Sequence, residues 1–225
     1  HDGVLRVAVG PSSETGDFSS IVTMRRDGSR LEEIGRVDRI GPREEIEAVR
    51  WFGDLALVVT FRRVDPLYTV DLSDQTAPRV VGELKVPGYS AYLHPLGPHR
   101  LLGLGEGPVA GRRWGAQTSL FDLADLATPR RLDVLDHRVG TRHVAATDPR
   151  AFTWIPGQRT GLSVITRGYG ARTGWLSIIR LDDGTISEEL VEVEHGSDVD
   201  HVRLLRLPDK RVLLVTAEEA SYVEV

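Results

Sequence analysis

The chain has no cysteine among its 225 residues, a single methionine and only two lysines, Lys85 and Lys210. The first absence excludes disulfides, thiolate metal sites and a cysteine nucleophile. It is compatible with any bacterial compartment. The near-absence of lysine makes almost every cation an arginine, as an arginine-rich genome would. No apolar run approaches the length of a membrane span. Aromatic residues are 6% of the chain, and the net charge of −5 argues against nucleic acid or anionic lipid as a general partner. No nucleotide-binding glycine loop, H-E-x-x-H pair or G-x-S-x-G elbow occurs. "GLGEG" at 103–107 has no helix after it. The chain opens on His1 rather than methionine, which reads as a segment of something longer.

What the sequence does have is repetition. "DLSDQTAPRVVGEL" at 71–84 and "DLADLATPRRLDVL" at 122–135 share six of fourteen positions without a gap. Anchored on the second Asp of that motif, the chain aligns at Asp27, Asp74, Asp125 and Asp182, spaced 47, 51 and 57 residues apart. An apolar strand precedes each anchor ("SIVTMR", "LYTVDL", "SLFDL", "WLSIIRL"). A turn follows in which the Asp accepts backbone N–H groups, and Pro78 and Pro129 then open a more polar strand. A third strand ("EAVRWF", "SAYLHPL", "RAFTWI", "DHVRLLRL") and a fourth apolar one complete each repeat. Periodicity of helical type is missing; Arg43 to Trp51 is its nearest approach.

Four-stranded antiparallel units at this period predict an all-β chain built as a β-propeller. The expected layout is a partial blade at 1–38, blades at 46–86, 89–135 and 148–194, and a partial blade at 199–225. The strand count does not close a ring of complete blades. It predicts an open arc of about four to five blades, part of a larger propeller. The exposed blade faces would be covered by the missing part of the propeller or by a second copy in a homo-oligomer.

Residues 48–96, "AVRWFGDLALVVTFRRVDPLYTVDLSDQTAPRVVGELKVPGYSAYLHPL", resemble the core signature of secreted bacterial proteins with a C-terminal β-propeller domain. Within them "LYTVDLSDQTAPRVVGEL" is similar to the LVIVD-type propeller repeat. In that family a Tyr-Asp-His-Lys-Ala-Phe run stands where this chain keeps Asp148, Ala151 and Phe152 but has Pro149 and Arg150, so a role for that histidine does not carry over. The resemblance implies an extracytoplasmic protein, secreted or anchored to the envelope. It brings no catalytic residues.

On this layout the short turns share one face and the longer connections the other. Those connections are "EGPVAGRRWGAQ", "DHRVGTRHVAATD", "RGYGARTG" and "HGSDVD". Loops on a rigid scaffold are where binding residues concentrate. Arg112, Arg113, Arg142, Arg167 and Arg172 supply forks for carboxylate, sulfate or phosphate, with Trp114, Tyr169 and His143 beside them. His137 and Arg138 lie in the same stretch. This face is the expected site for a protein, peptide or anionic glycan, although solvated arginine-rich loops would read the same way. Asp198 and Asp200, entering a strand with the same parity, could hold Ca²⁺ at a channel mouth; an ordinary polar loop is the plainer alternative. No other cofactor is expected. The reading favours a non-catalytic binding module. The alternative is a propeller-borne hydrolase or lyase drawing acid–base groups from Asp148, Asp198, Asp200, His143 and His201. His94 reads as a hydrogen-bonded core histidine.

Overall fold

The computed structural model describes residues 1–61, 65–109, 111, 113–168, 170–209 and 211–223; the side chains of Asp65 and Asp200 fall outside that description. The described residues form nineteen strands and four single-turn 3-10 helices, with no α-helix among them. The strands build five antiparallel sheets in chain order.

The first sheet joins β1 (Val4–Val9), β2 (Ser19–Asp27) and β3 (Arg30–Ile40). The second joins β4 (Glu45–Phe52), β5 (Leu55–Phe61), β6 (Asp65–Asp71) and β7 (Arg79–Val86). The third joins β8 (Tyr89–Pro95), β9 (Arg100–Val109), β10 (Arg113–Asp122) and β11 (Arg130–Val139). The fourth has β14 (Thr160–Thr166), β15 (Thr173–Asp182) and β16 (Thr185–Glu194), with both β12 (Arg142–His143) and β13 (Thr153–Ile155) paired to β14. The fifth joins β17 (Arg203–Arg206), β18 (Val212–Val215) and β19 (Ala220–Val223). Sequential, antiparallel, four-stranded sheets are what propeller blades require.

Two compact units divide the chain. One holds residues 1–89, 97–100 and 122–130; the other holds 90–96, 101–121 and 131–225. In the first, Ile21, Ile40, Ala56, Val58, Val70 and Leu72 form a buried cluster. In the second, Val144, Ile155, Leu162, Val164, Leu176, Ile178, Leu204 and Leu214 form another. The central strands β5, β10 and β14 are buried almost end to end, whereas the last strand of each sheet alternates toward solvent. The apolar and polar strands told apart in the sequence thus differ in position within the sheet.

The duplicated motif explains how neighbouring sheets are joined within the first unit. Asp71 Oδ1 accepts from Ser73 N at 2.9 Å, and Asp74 Oδ1 from Thr76 N at 2.9 Å. Asp122 Oδ1 accepts from Ala124 N at 3.0 Å, and Asp125 Oδ1 from Ala127 N at 2.9 Å. Each turn so formed pushes one carbonyl onto the preceding sheet. Thr23 Oγ1 donates to Gln75 O, and Thr69 Oγ1 to Leu126 O, both at 2.6 Å. Beside each contact stands a glycine eight residues past its own anchor, Gly35 and Gly82. A Cβ on either would collide with that same carbonyl. In the second unit the connection between β15 and β16 is tighter, and the equivalent position on β11 is Asp133. Its carboxylate reaches across and accepts from Ile186 N at 2.8 Å.

Several expectations need correction. β9 runs to Val109, β10 starts at Arg113 and β11 runs to Val139, so the first of the long loops is largely strand and the second begins as strand. The first strand of the fourth sheet is broken, because Asp148 caps a 3-10 turn over Pro149–Ala151 by accepting from Arg150 N. Residues 199–201 form another 3-10 turn ahead of β17. Strand parity therefore cannot place Asp198 and Asp200 on one side. Trp51, at an inner-strand position where packing between blades would account for an aromatic residue, is 38% exposed.

Candidate functional site

The second unit carries a cavity of about 490 Å³ at one end of its fourth sheet, lined by Arg142, Val144, Thr147, Thr166, Gly168, Gly170, Ala171, Ser197 and Asp198, with His143 in its wall. These residues come from β12 and the turn after it, from the end of β14 and its connection to β15, and from the connection after β16, which fall in three of the four segments read as the functional face. Gly168 and Gly170 have φ of 126° and 74°, a backbone region that a side chain would strain. Neither puts a side chain into the cavity they line.

The candidate residues fare differently. Arg112 and Tyr169 lie outside the described residues, as does the side chain of Asp200. Arg113 is exposed at the start of β10, and Trp114 follows it half-buried. Arg142 Nε stands 3.4 Å from Glu106 Oε1. Arg167 lies 4.1 Å above the Trp175 ring and is paired with Glu192. Arg172 grips Glu218, with Nη1 donating to Oε1 at 3.1 Å, and also approaches Glu194 at 3.5 Å. That guanidinium, helped by Ser197 N, holds the Glu218 carboxyl at about 2. These forks tie connections together, so an anion would have to displace a carboxylate already in place. The sequence could not reveal this, because the glutamates sit on two other strands and in the turn between β18 and β19.

His143 is fully buried. Its Nε2 faces Thr118 Oγ1 at 3.0 Å and its Nδ1 faces Ser163 Oγ at 3.2 Å. Burial drives its pKa well below that of an ordinary imidazole. Pairing of β12 with β14 turns its side chain into the sheet interior. Its place is structural, and it offers nothing to solvent. His94 is hydrogen-bonded as expected, sharing a 3.1 Å bond with the Tyr92 hydroxyl, but it is half-buried rather than core, with its ring tilted 50° to Phe152 at 4.8 Å.

The acid–base candidates are also engaged. Asp148 is held by Arg150 Nε at 2.9 Å and by Arg203 Nη1 at 2.8 Å. The Arg150 hydrogen bonds lower its carboxyl to about 2, which leaves it ionised at any ordinary pH. Asp198 Oδ2 faces His201 Nδ1 at 2.7 Å. Among the described residues no group of three His, Asp or Glu side chains is placed to hold a metal ion.

A second polar centre escaped the sequence reading. Glu188 on β16 accepts from the Ser177 hydroxyl and faces His137 Nδ1 at 3.4 Å. Their side chains are 10% and 5% exposed. Burial raises the Glu188 carboxyl to about 7 and lowers the His137 imidazole to about 4. At 3.4 Å the pair is too long for a charge-assisted bond to repay desolvation, so the uncharged forms are favoured. One signal was available. Glu188 has the strand parity of the buried Ile186.

Comparison with known proteins bears on the fold. Residues 1–206 match the family described as the β-propeller domain. A protein of Archaeoglobus fulgidus is 39% identical over 132 residues, covering 58% of this chain and 19% of that protein. One of Methanocaldococcus jannaschii is 35% identical over 158 residues, covering 68% and 24%. The chain thus spans about a fifth to a quarter of these relatives. A solved structure of a protein from Lactobacillus plantarum superposes on 99% of this chain and 67% of its own, with a TM-score of 0.56 at 12% identity, a likeness of fold alone. Repeating four-stranded sheets, Asp-anchored turns and a match over nine-tenths of the length lead to one assignment: the chain belongs to the β-propeller domain family.

Proposed function

We propose that this chain is a non-catalytic binding module that takes a protein segment or peptide into the cavity at the loop end of its fourth sheet. The supporting observation is the cavity itself: about 490 Å³, with backbone groups of glycine-rich connections, small side chains and one charge of each sign, Arg142 and Asp198, in its wall. Such a lining suits a hydrogen-bonding segment such as a peptide backbone better than a polyanion, since Arg142 is already paired with Glu106 and Asp198 with His201. Ion-paired arginines weigh against the anionic glycan of the sequence reading. Ligation of Ca²⁺ by Asp198 and Asp200 has no supporting observation. The hydrolase reading is weakened because Asp148 and His143 are committed to structure. Export, a bacterial secreted origin and LVIVD-type repeats rest on the sequence resemblance, and we retain them as part of the proposal. So does coverage of the outer sheets by further propeller or a second copy.

Selection of a random displayed-peptide library against the immobilised chain tests the reading. The expected result is a consensus that competes for one site and is lost with Ala171→Trp, which fills the cavity. Thr185→Trp, at the opposite end of the same sheet, should leave binding unchanged. No consensus, or a consensus indifferent to Ala171→Trp, would overturn it.

A further inference from the structure

A separate cavity of about 400 Å³ opens beside β11, β15 and β16 in the second unit, and Glu188 and His137 lie in its wall with Asp136, Arg138, Thr141, Trp175 and Leu190. Its size is in the range of small-molecule sites. Three features distinguish it from a packing gap. Its polar groups are buried yet incompletely used, for His137 Nε2 has no hydrogen-bond partner in the protein. A buried ring nitrogen left so is costly unless something else supplies the bond. A flat apolar wall stands beside them, Trp175 with Val109, Ile165 and Leu190. That wall is fixed in place, since Arg167 lies 4.1 Å and Arg138 5.6 Å from the indole centroid.

Asp136 and Arg138, one charge of each sign and both exposed, give the cavity wall no net charge that would favour an ion. An anion entering the cavity meets the Asp136 carboxylate, which accepts from Gln117 Nε2 at 2.7 Å. A cation meets Arg138 and finds in Glu188 a carboxyl that burial keeps protonated to about 7. What remains is a molecule with hydroxyl groups for Glu188 and His137 and C–H groups for the apolar wall of Val109, Ile165 and Leu190, since Arg167 and Arg138 lie over the Trp175 ring itself. We propose that this cavity is a second ligand site, for a neutral polyhydroxylated molecule of one or two sugar rings. It is independent of the peptide site.

Saturation-transfer NMR and calorimetry with glucose, galactose, N-acetylglucosamine and maltose, and with glucuronate and glucosamine as charged counterparts, test this on the intact chain. At least one neutral sugar should bind saturably, and the charged ones more weakly. Leu190 is 45% exposed at the mouth. Leu190→Arg should therefore fold normally and weaken binding about tenfold or more, roughly 1.4 kcal/mol. Glu188→Gln, which keeps a neutral hydrogen-bonding group, should retain affinity that Glu188→Leu loses. Ala171→Trp should have no effect. Absence of saturable binding by every neutral sugar, preference for glucuronate, or insensitivity to Leu190→Arg would each overturn the proposal.

Discussion

Glu188 and His137 show how far burial can move a single side chain, and they yield a prediction that does not depend on any ligand. Glu188 has a folded pKa raised to about 7 from 4.5, so its contribution to stability is full below about 4.5 and is lost as pH rises through about 7. His137 has a folded pKa lowered to about 4 from 6.5; its contribution is full above 6.5 and is lost as pH falls through 4. Between about 4.5 and 6.5 the unfolded chain carries one proton on the histidine, and the folded chain carries one on the glutamate. The two slopes cancel. Asp136 on β11, His143 behind His137 and Ser177 on β15 stay in place in either variant. Removing one partner should therefore expose the slope of the other. His137→Gln should lose stability as pH rises from 4.5 to 7, and Glu188→Gln should gain it from 4 to 6.5, whereas in the parent the contribution of the pair is flat between 4.5 and 6.5. Each change is on the order of 3 kcal/mol for a shift of this size. Denaturant unfolding at several pH values measures it, and slopes of the same sign in both variants would contradict the account.

Among elements, the Asp-anchored turn is the repeated device, and its purpose lies in the sheet before it. Gly35 and Gly82 are extended-backbone glycines, so alanine would cost nothing in conformation. The cost comes from the carbonyls of Gln75 and Leu126 against the would-be Cβ. Gly82→Ala should destabilise by about 1–3 kcal/mol through overpacking. Thr69→Val, which keeps the shape and removes the bond to Leu126 O, should cost about 1 kcal/mol. The double variant should cost less than the sum, because both act on one docked turn. Chemical denaturation of the set decides, and strict additivity would mean that the carbonyl is not the shared partner.

This device was half legible in the sequence. The anchors, the prolines and the apolar strand before each were readable, because turn chemistry and strand burial are local. The glycines eight residues on could not be interpreted, since what excludes a side chain there is a carbonyl about 40 residues away in the chain, as Gln75 O is from Gly35. For the same reason the arginines read as an anion site are joined to Glu106, Glu192 and Glu218 on other elements. His143 read as a loop histidine because the split of the first strand at Asp148-Pro149 hides a two-residue strand within an apparent loop. Strand parity could have flagged Glu188, but a glutamate-rich run such as "SEELVEVE" looks like a solvated edge.

For the whole molecule, the sheets at the two ends of the chain have three strands where the complete ones have four or more. Among the described residues, β1 has one neighbour, β2, and β19 has one, β18. Each therefore keeps one edge of unpaired backbone groups, and an open edge is a template for another strand. Natural edges are blunted by charge, yet these present Leu5 at 46% exposure and Tyr222 at 61%. The relatives are four to five times longer than the stretch they share with this chain, so in them additional chain is available to cover such edges. In this chain by itself the expectation is reversible self-association, growing with concentration and retained in high salt, because apolar burial is not screened as the charge of −5 would be. Leu5→Lys places a charge on the first edge and should shift the chain toward monomer without lowering its unfolding midpoint, since that side chain already faces solvent; Tyr222 is kept because Arg211 lies 4.2 Å over its ring. Sedimentation velocity across a concentration series provides the measurement. A single monomeric species at every concentration for the parent chain would show that these edges are already protected.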